Sequence, residues 1–168
     1  MHTVDEIEVR APVEACFRAG ADVERWPEWL PHYRWVRFQR KEGFGTGRVE
    51  MAARRDFGPL PWPVWWVSEM TVDPARPVVL YRHVEGITTG MDVEWSFHDL
   101  GSGRTRIRIV HEWETGPAWP LPSPARRLVA EAVIGPVFIH HVASRTLAGI
   151  RRAVEREGTP EAHAGTES

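Results

Sequence analysis

The chain holds one cysteine, one lysine and two tyrosines among its 168 residues. With Cys16 alone, an intrachain disulfide and any multi-cysteine metal site are excluded. No run is long and apolar enough to span a bilayer, and the opening MHTVDEIEVR lacks a signal peptide's charged-then-apolar layout, so a cytoplasmic globular protein is expected. Basic blocks are also missing: 21 basic and 23 acidic residues interleave to a net charge of −2, and nucleic acid is not an expected partner. The near-total use of arginine for the basic positions is not by itself a sign of anion recognition. There is no phosphate-cradling glycine loop and no GxSxG elbow. Eight histidines form no HxxxH or HExxH pair, and adjacent His140 and His141 point about 100° apart on a helix. Neither a metal nor a cofactor is therefore expected.

What the chain does have is tryptophan, nine in all, three of them in PLPWPVWWVSEM at residues 59–70. The length suits one domain with a real core. Thr3–Arg10 alternates as a strand, Pro12 suits the first turn of a helix reaching about Gly20, and DVERWPEWLPHY reads as one or two short, bent helices. Strand-like stretches follow at Trp35–Lys41, Arg48–Asp56, Val64–Val72, Val78–Glu85, Met91–His98 and Arg104–Glu114, separated by turn-rich segments. Met91, Val93, Trp95 and Phe97 share one face; Ile107, Ile109, His111 and Trp113 share another. One apolar and one polar face describes an antiparallel sheet covered on one side. Its cover is a helix from Ser123, which can cap, to about Glu157, with Ala143, Leu147, Ile150 and Val154 on one stripe and a bend at Gly135–Pro136. Residues 158–168 form an expected disordered tail. A curved sheet around one long helix leaves a gap in which a pocket can form.

Three segments, VRAPVEACFRAGADVERWPEWLPHY, WVSEMTVDPARPVVLYRHVEG and the VEWSF and IRIVHEW strands, resemble the START-like helix-grip (SRPBCC) superfamily in its polyketide cyclase/dehydrase branch. The resemblance covers about residues 3–156. It implies an α+β helix-grip fold, a curved antiparallel sheet wrapped around a long C-terminal helix with two short helices, as one domain over residues 1–157. The middle segment is similar to the tetracenomycin-type aromatase/cyclases, which fold a poly-β-ketone in their cavity and promote aldol ring closure and dehydration. Their cavity tryptophan and tyrosine from the short helices match Trp26 and Tyr33, their strand Trp-x-Ser matches Trp66 and Ser68, and a further strand tryptophan matches Trp95. Where they carry a cavity arginine this chain has Met70; a second arginine falls near Arg82 or His83, and a helix asparagine near His140 or His141.

Expected ligand contacts are thus Trp26, Leu30, Trp66, Ser68, Met70, His83, Trp95, Ile109 and His111, with Tyr33, His140 and Arg82 as candidates for chemistry. In strand Val64–Val72 alternation groups Trp66, Ser68, Met70 and Val72, which the resemblance makes the cavity face, and turns Trp65 outward. Trp62, Pro61 and Pro63 fall to the loop entering that strand, as a lid or a surface patch. His111 interrupts an apolar face and reads either as a satisfied core residue or as a cavity group. Tyr33 is a phenol donor or an anchor for the short helix. Helical phase favours His140 over His141 as the cavity group, since only His140 falls within the Ala143–Leu147–Ile150–Val154 arc. The expected partner is a small hydrophobic or aromatic molecule, with no nucleic acid, no membrane span, and a homodimer left open. Two functions follow: cyclase/aromatase or dehydratase, or non-catalytic carrier or sensor of a lipid, isoprenoid quinone or other apolar ligand.

Overall fold

Seven antiparallel strands form one sheet in the order β1-β7-β6-β5-β4-β3-β2. The computed structural model describes residues 1–57, 60–114, 116, 124 and 139–158, with the side chains of 55–57 and 60–62 outside the description. The strands are β1 (His2–Val9), β2 (Tyr33–Glu42), β3 (Thr46–Phe57), β4 (Leu60–Asp73), β5 (Val78–Gly86), β6 (Asp92–Gly101) and β7 (Arg104–Glu112). Between β1 and β2, which occupy opposite sheet edges, the chain crosses through α1 (Val13–Ala21), a 3-10 turn (Val23–Arg25) and α2 (Trp26–Trp29). The last described helix, α3 (His140–Glu157), packs on β1, α1 and α2. This is the helix-grip arrangement. The expected helix start at Ser123, the bend at Pro136 and the tail beyond Gly158 lie outside the described residues.

Alternation decides which face each strand presents. Val93, Trp95 and Phe97 on β6 and Ile107 and Ile109 on β7 are buried, while Asp92, Glu94, His98 and Glu112 are exposed. Tyr33, Val49, Met51, Trp66, Met70, Val79 and Tyr81 continue that apolar surface across the other strands. From α3, Ala143, Thr146, Leu147, Ile150 and Val154 close over it. Gly149 is what lets α3 come so near: a Cβ there would sit 2.1 Å from Leu30 Cδ2, and Leu30 is itself fully buried.

Two local features depart from the expected pattern. The prolines at 61 and 63 are not in a loop before β4 but within it, paired with Asp56 and Arg54 of β3. They share the parity of Trp65, whose carbonyl faces β5 at Gly86, and β5 ends there. The backbone side that lacks a donor therefore points where no strand needs one. The side chain of Trp62 is outside the described residues, so its lid or patch role has no structural reading. In β5, Ser68 pairs with His83 and Val67 with Glu85, which leaves Val84 as the extra residue of a bulge. The bulge keeps His83 on the inner face and sends Glu85 outward, where it meets Arg48. Gly86 closes it at φ 96°, with a Cβ position only 2.5 Å from the Trp65 carbonyl oxygen.

Candidate functional site

A cavity of about 80 Å³ lies between the concave sheet, α2 and the start of α3. Trp26 enters from α2, Tyr33 from β2, and Trp66 from β4; Tyr81 and His83 come from β5, Trp95 from β6, and Ile109 and His111 from β7. Ile87 and Thr88 of the β5–β6 turn, with Ile139, Val142, Ala143 and Thr146, complete the wall toward α3.

The aromatic side chains form a continuous arc. Trp95 lies 5.4 Å from Trp26, Trp26 5.1 Å from Tyr33, Tyr33 6.2 Å from Trp66, and Trp66 6.0 Å from the His83 ring, which stacks on it at 19°. Rings at these spacings and tilts satisfy one another's edges and leave flat faces for a guest. The Trp26 indole N–H is already spent on the Ala19 carbonyl of α1, at 3.0 Å. The same bond fixes α2 against α1 and holds the ring in place.

Charge is missing from this wall. Among the described lining residues there is no Asp, Glu, Lys or Arg. The polar groups are the phenols of Tyr33 and Tyr81, the rings of His83 and His111, and the hydroxyls of Thr88 and Thr146. Burial, and then His111, lowers His83 to about 3, so its imidazole is neutral at ordinary pH. Its Nδ1 shares a 2.6 Å hydrogen bond with Thr88 Oγ1, and His111 Nδ1 shares one of 3.3 Å with Thr3 Oγ1. Tyr81 is raised well above its ordinary value by burial and then by Tyr33, so it stays a protonated phenol. No cluster of three or more His, Cys, Asp or Glu that could hold a metal occurs among the described residues.

The structure brings Trp26, Tyr33, Trp66, His83, Trp95, Ile109 and His111 to one cavity. Five other expected residues lie elsewhere. Ser68 and Met70 are buried on the inner face of β4 but off the cavity wall, and Leu30 is buried beneath Gly149. Arg82 alternates to the outer face of β5, where it pairs with Asp92 of β6. His140 is 64% exposed and pairs with buried Asp5 of β1 instead of entering the cavity. It lies at the margin of the apolar stripe and swings to the sheet edge, where desolvation keeps Asp5 above its ordinary value despite the partner. His141 is exposed as well. The polar group that α3 does turn inward is Thr146, bonded at 2.9 Å to His32 Nε2.

Three polar site residues escaped the sequence reading: Tyr81, Thr88 and Thr146. Tyr81 was within reach, since Val79, Tyr81 and His83 share one parity on β5. Thr88 and Thr146 carry no such signal, because each is placed by a turn or a helix phase that only packing fixes.

A helix-grip protein with an aromatic-walled internal cavity is the class that this geometry defines. The sequence profile of the family described as polyketide cyclase/dehydrase and lipid transport matches residues 9–138. The chain belongs to that family. It is 31% identical over 121 residues, 71% of this chain and 77% of the other, to a Streptomyces cyaneus protein named as a polyketide cyclase. It is 36% identical over 114 residues to the granaticin polyketide synthase bifunctional cyclase/dehydratase of Streptomyces violaceoruber; the match covers 67% of this chain and 33% of that one. Among solved structures, the Zhui aromatase/cyclase of Streptomyces sp. R1128 superposes with a TM-score of 0.72 over 96% of this chain and 98% of that one, at 22% identity. At that identity the likeness is one of fold.

Proposed function

We propose that this protein takes a hydrophobic, aromatic or polyketide-like small molecule into the cavity and promotes its aldol cyclisation and dehydration, within one ligand-binding domain over residues 1–157. One observation carries this reading: five rings wall a cavity whose described lining has no Asp, Glu, Lys or Arg. Aldol closure needs a carbon acid brought against a carbonyl, and a chain held in one fold achieves much of that by proximity alone. Flat indole faces select the fold in which the nascent ring lies parallel to them. In a dry cavity each hydrogen bond to a developing enolate oxygen is worth more than in water, and Tyr33 is the phenol placed within the arc to give one. Family membership supports the same substrate class, since relatives carry cyclase and cyclase/dehydratase names.

The test is product distribution. A linear poly-β-ketone released from an acyl carrier cyclises without help to a mixture, which mass spectrometry after chromatography resolves. Added protein is expected to enrich one first-ring product over the spontaneous mixture. An unchanged mixture contradicts the cyclase reading.

A second reading, a carrier that binds the same class and releases it unaltered, is favoured by one specific feature. The position at which the related cyclases bear a cavity arginine is Met70, and Arg82 faces outward to Asp92. Saturable binding with no product enrichment is the result that selects it.

A further inference from the structure

Tyr81 is only 6% exposed and lines the cavity, yet its hydroxyl makes no hydrogen bond among the described residues. A buried phenol normally finds a partner, because its O–H otherwise surrenders water for nothing. Its directly paired neighbours supply none. Across the strands Tyr81 pairs with Met70 on β4 and Val93 on β6, both apolar side chains. His83, two residues along the same face, has its Nδ1 engaged by Thr88. A phenylalanine would fill this stretch of wall without leaving a donor unsatisfied, so the hydroxyl serves no packing purpose. Burial and the nearby Tyr33 hold it in the protonated form, which makes it a donor in search of an acceptor.

We propose that Tyr81 Oη is the donor of an oxygen subsite, and that it receives the carbonyl or enol oxygen of a ring-bearing ligand. The proposal rests on the cavity being the ligand site, as argued above, and adds to it a polar anchor that fixes which way round the ring enters. It also gives the cavity a neutral means of polarising a ketone, where a charged side chain is not present among the described lining residues.

Acetophenone and α-methylstyrene have nearly the same shape and differ in bearing C=O or C=CH₂. Their affinities for the full chain and for Tyr81→Phe are measured by ligand-observed NMR titration. Tyr81→Phe is expected to weaken acetophenone by about tenfold, the value of one lost hydrogen bond, and to leave α-methylstyrene within about twofold. The unliganded variant is expected to melt no lower than wild type, since no internal bond is lost. Equal effects on both probes, no effect on acetophenone, or a lower melting temperature for the free variant would overturn the subsite alone. Wild-type protein that binds neither probe would overturn the subsite together with the functional reading.

Discussion

His83 offers a measurement that reads the interior of the cavity directly. Its imidazole is held at about 3 against an ordinary 6.5, first by burial and then by His111. The folded protein therefore keeps His83 neutral while the unfolded chain protonates it below about pH 6.5. The residue's contribution to stability is full above that pH and is lost as pH falls toward its folded value. Between pH 7 and pH 5 the loss comes to about 2 kcal/mol, and any folded value below about 4 gives the same figure. His83→Gln removes the titration and retains an amide that can meet Thr88. Urea unfolding of both proteins at pH 7, 6 and 5 reads the effect, because groups not coupled to His83 titrate alike in the two. Wild type is expected to lose about 2 kcal/mol more than the variant over that range. Parallel pH profiles would refute the claim that His83 sits neutral in a dry wall.

Other outcomes follow from the same geometry. Met70→Arg, which recreates the charge of the related cyclases, is expected to cost about 3–5 kcal/mol in chemical denaturation, because position 70 is 1% exposed and off the cavity wall. A variant as stable as wild type would show that the arginine can reach the cavity. Gly149→Ala is expected to lower the melting temperature, since overpacking against Leu30 at about 1–3 kcal/mol outweighs a helix-propensity gain of about 1 kcal/mol. A raised melting temperature would place Leu30 elsewhere. His140→Ala is expected to cost about 1 kcal/mol by leaving buried Asp5 without the imidazole it pairs with, and to leave binding of a ring ligand unchanged in calorimetry. Lost binding would return His140 to the site.

Much of the fold was legible because half of each strand is buried. Trp95 and Ile109 could be assigned to the inner face from parity alone, and Trp65 to the outer. The same rule makes Arg82 and His83 opposites, so only one of the two could enter the cavity; the structure gives that place to His83. Parity fails where the count changes, as at Val84, whose bulge redirects Glu85 and cannot be read from a run of plausible strand residues. Helical phase fails at a stripe's margin. His140 and Ala143 are neighbours on the helix surface, yet Asp5 of β1 draws the imidazole to the sheet edge, a contact 135 positions away in sequence that no local pattern contains. Prolines 61 and 63 misled in the opposite direction, because a strand whose outer side has no partner tolerates them.

The central claim, that a ring-shaped ligand occupies the aromatic-walled cavity, is tested most directly by tryptophan fluorescence. Trp26, Trp66 and Trp95 all line the space, and Ala143 on α3 is the small residue facing them. Titration of wild type with a planar aromatic ketone is expected to give saturable quenching at one ligand per chain, and Ala143→Phe, folded by circular dichroism, is expected to abolish it. Quenching that never saturates, or that survives unchanged in Ala143→Phe, would contradict the account.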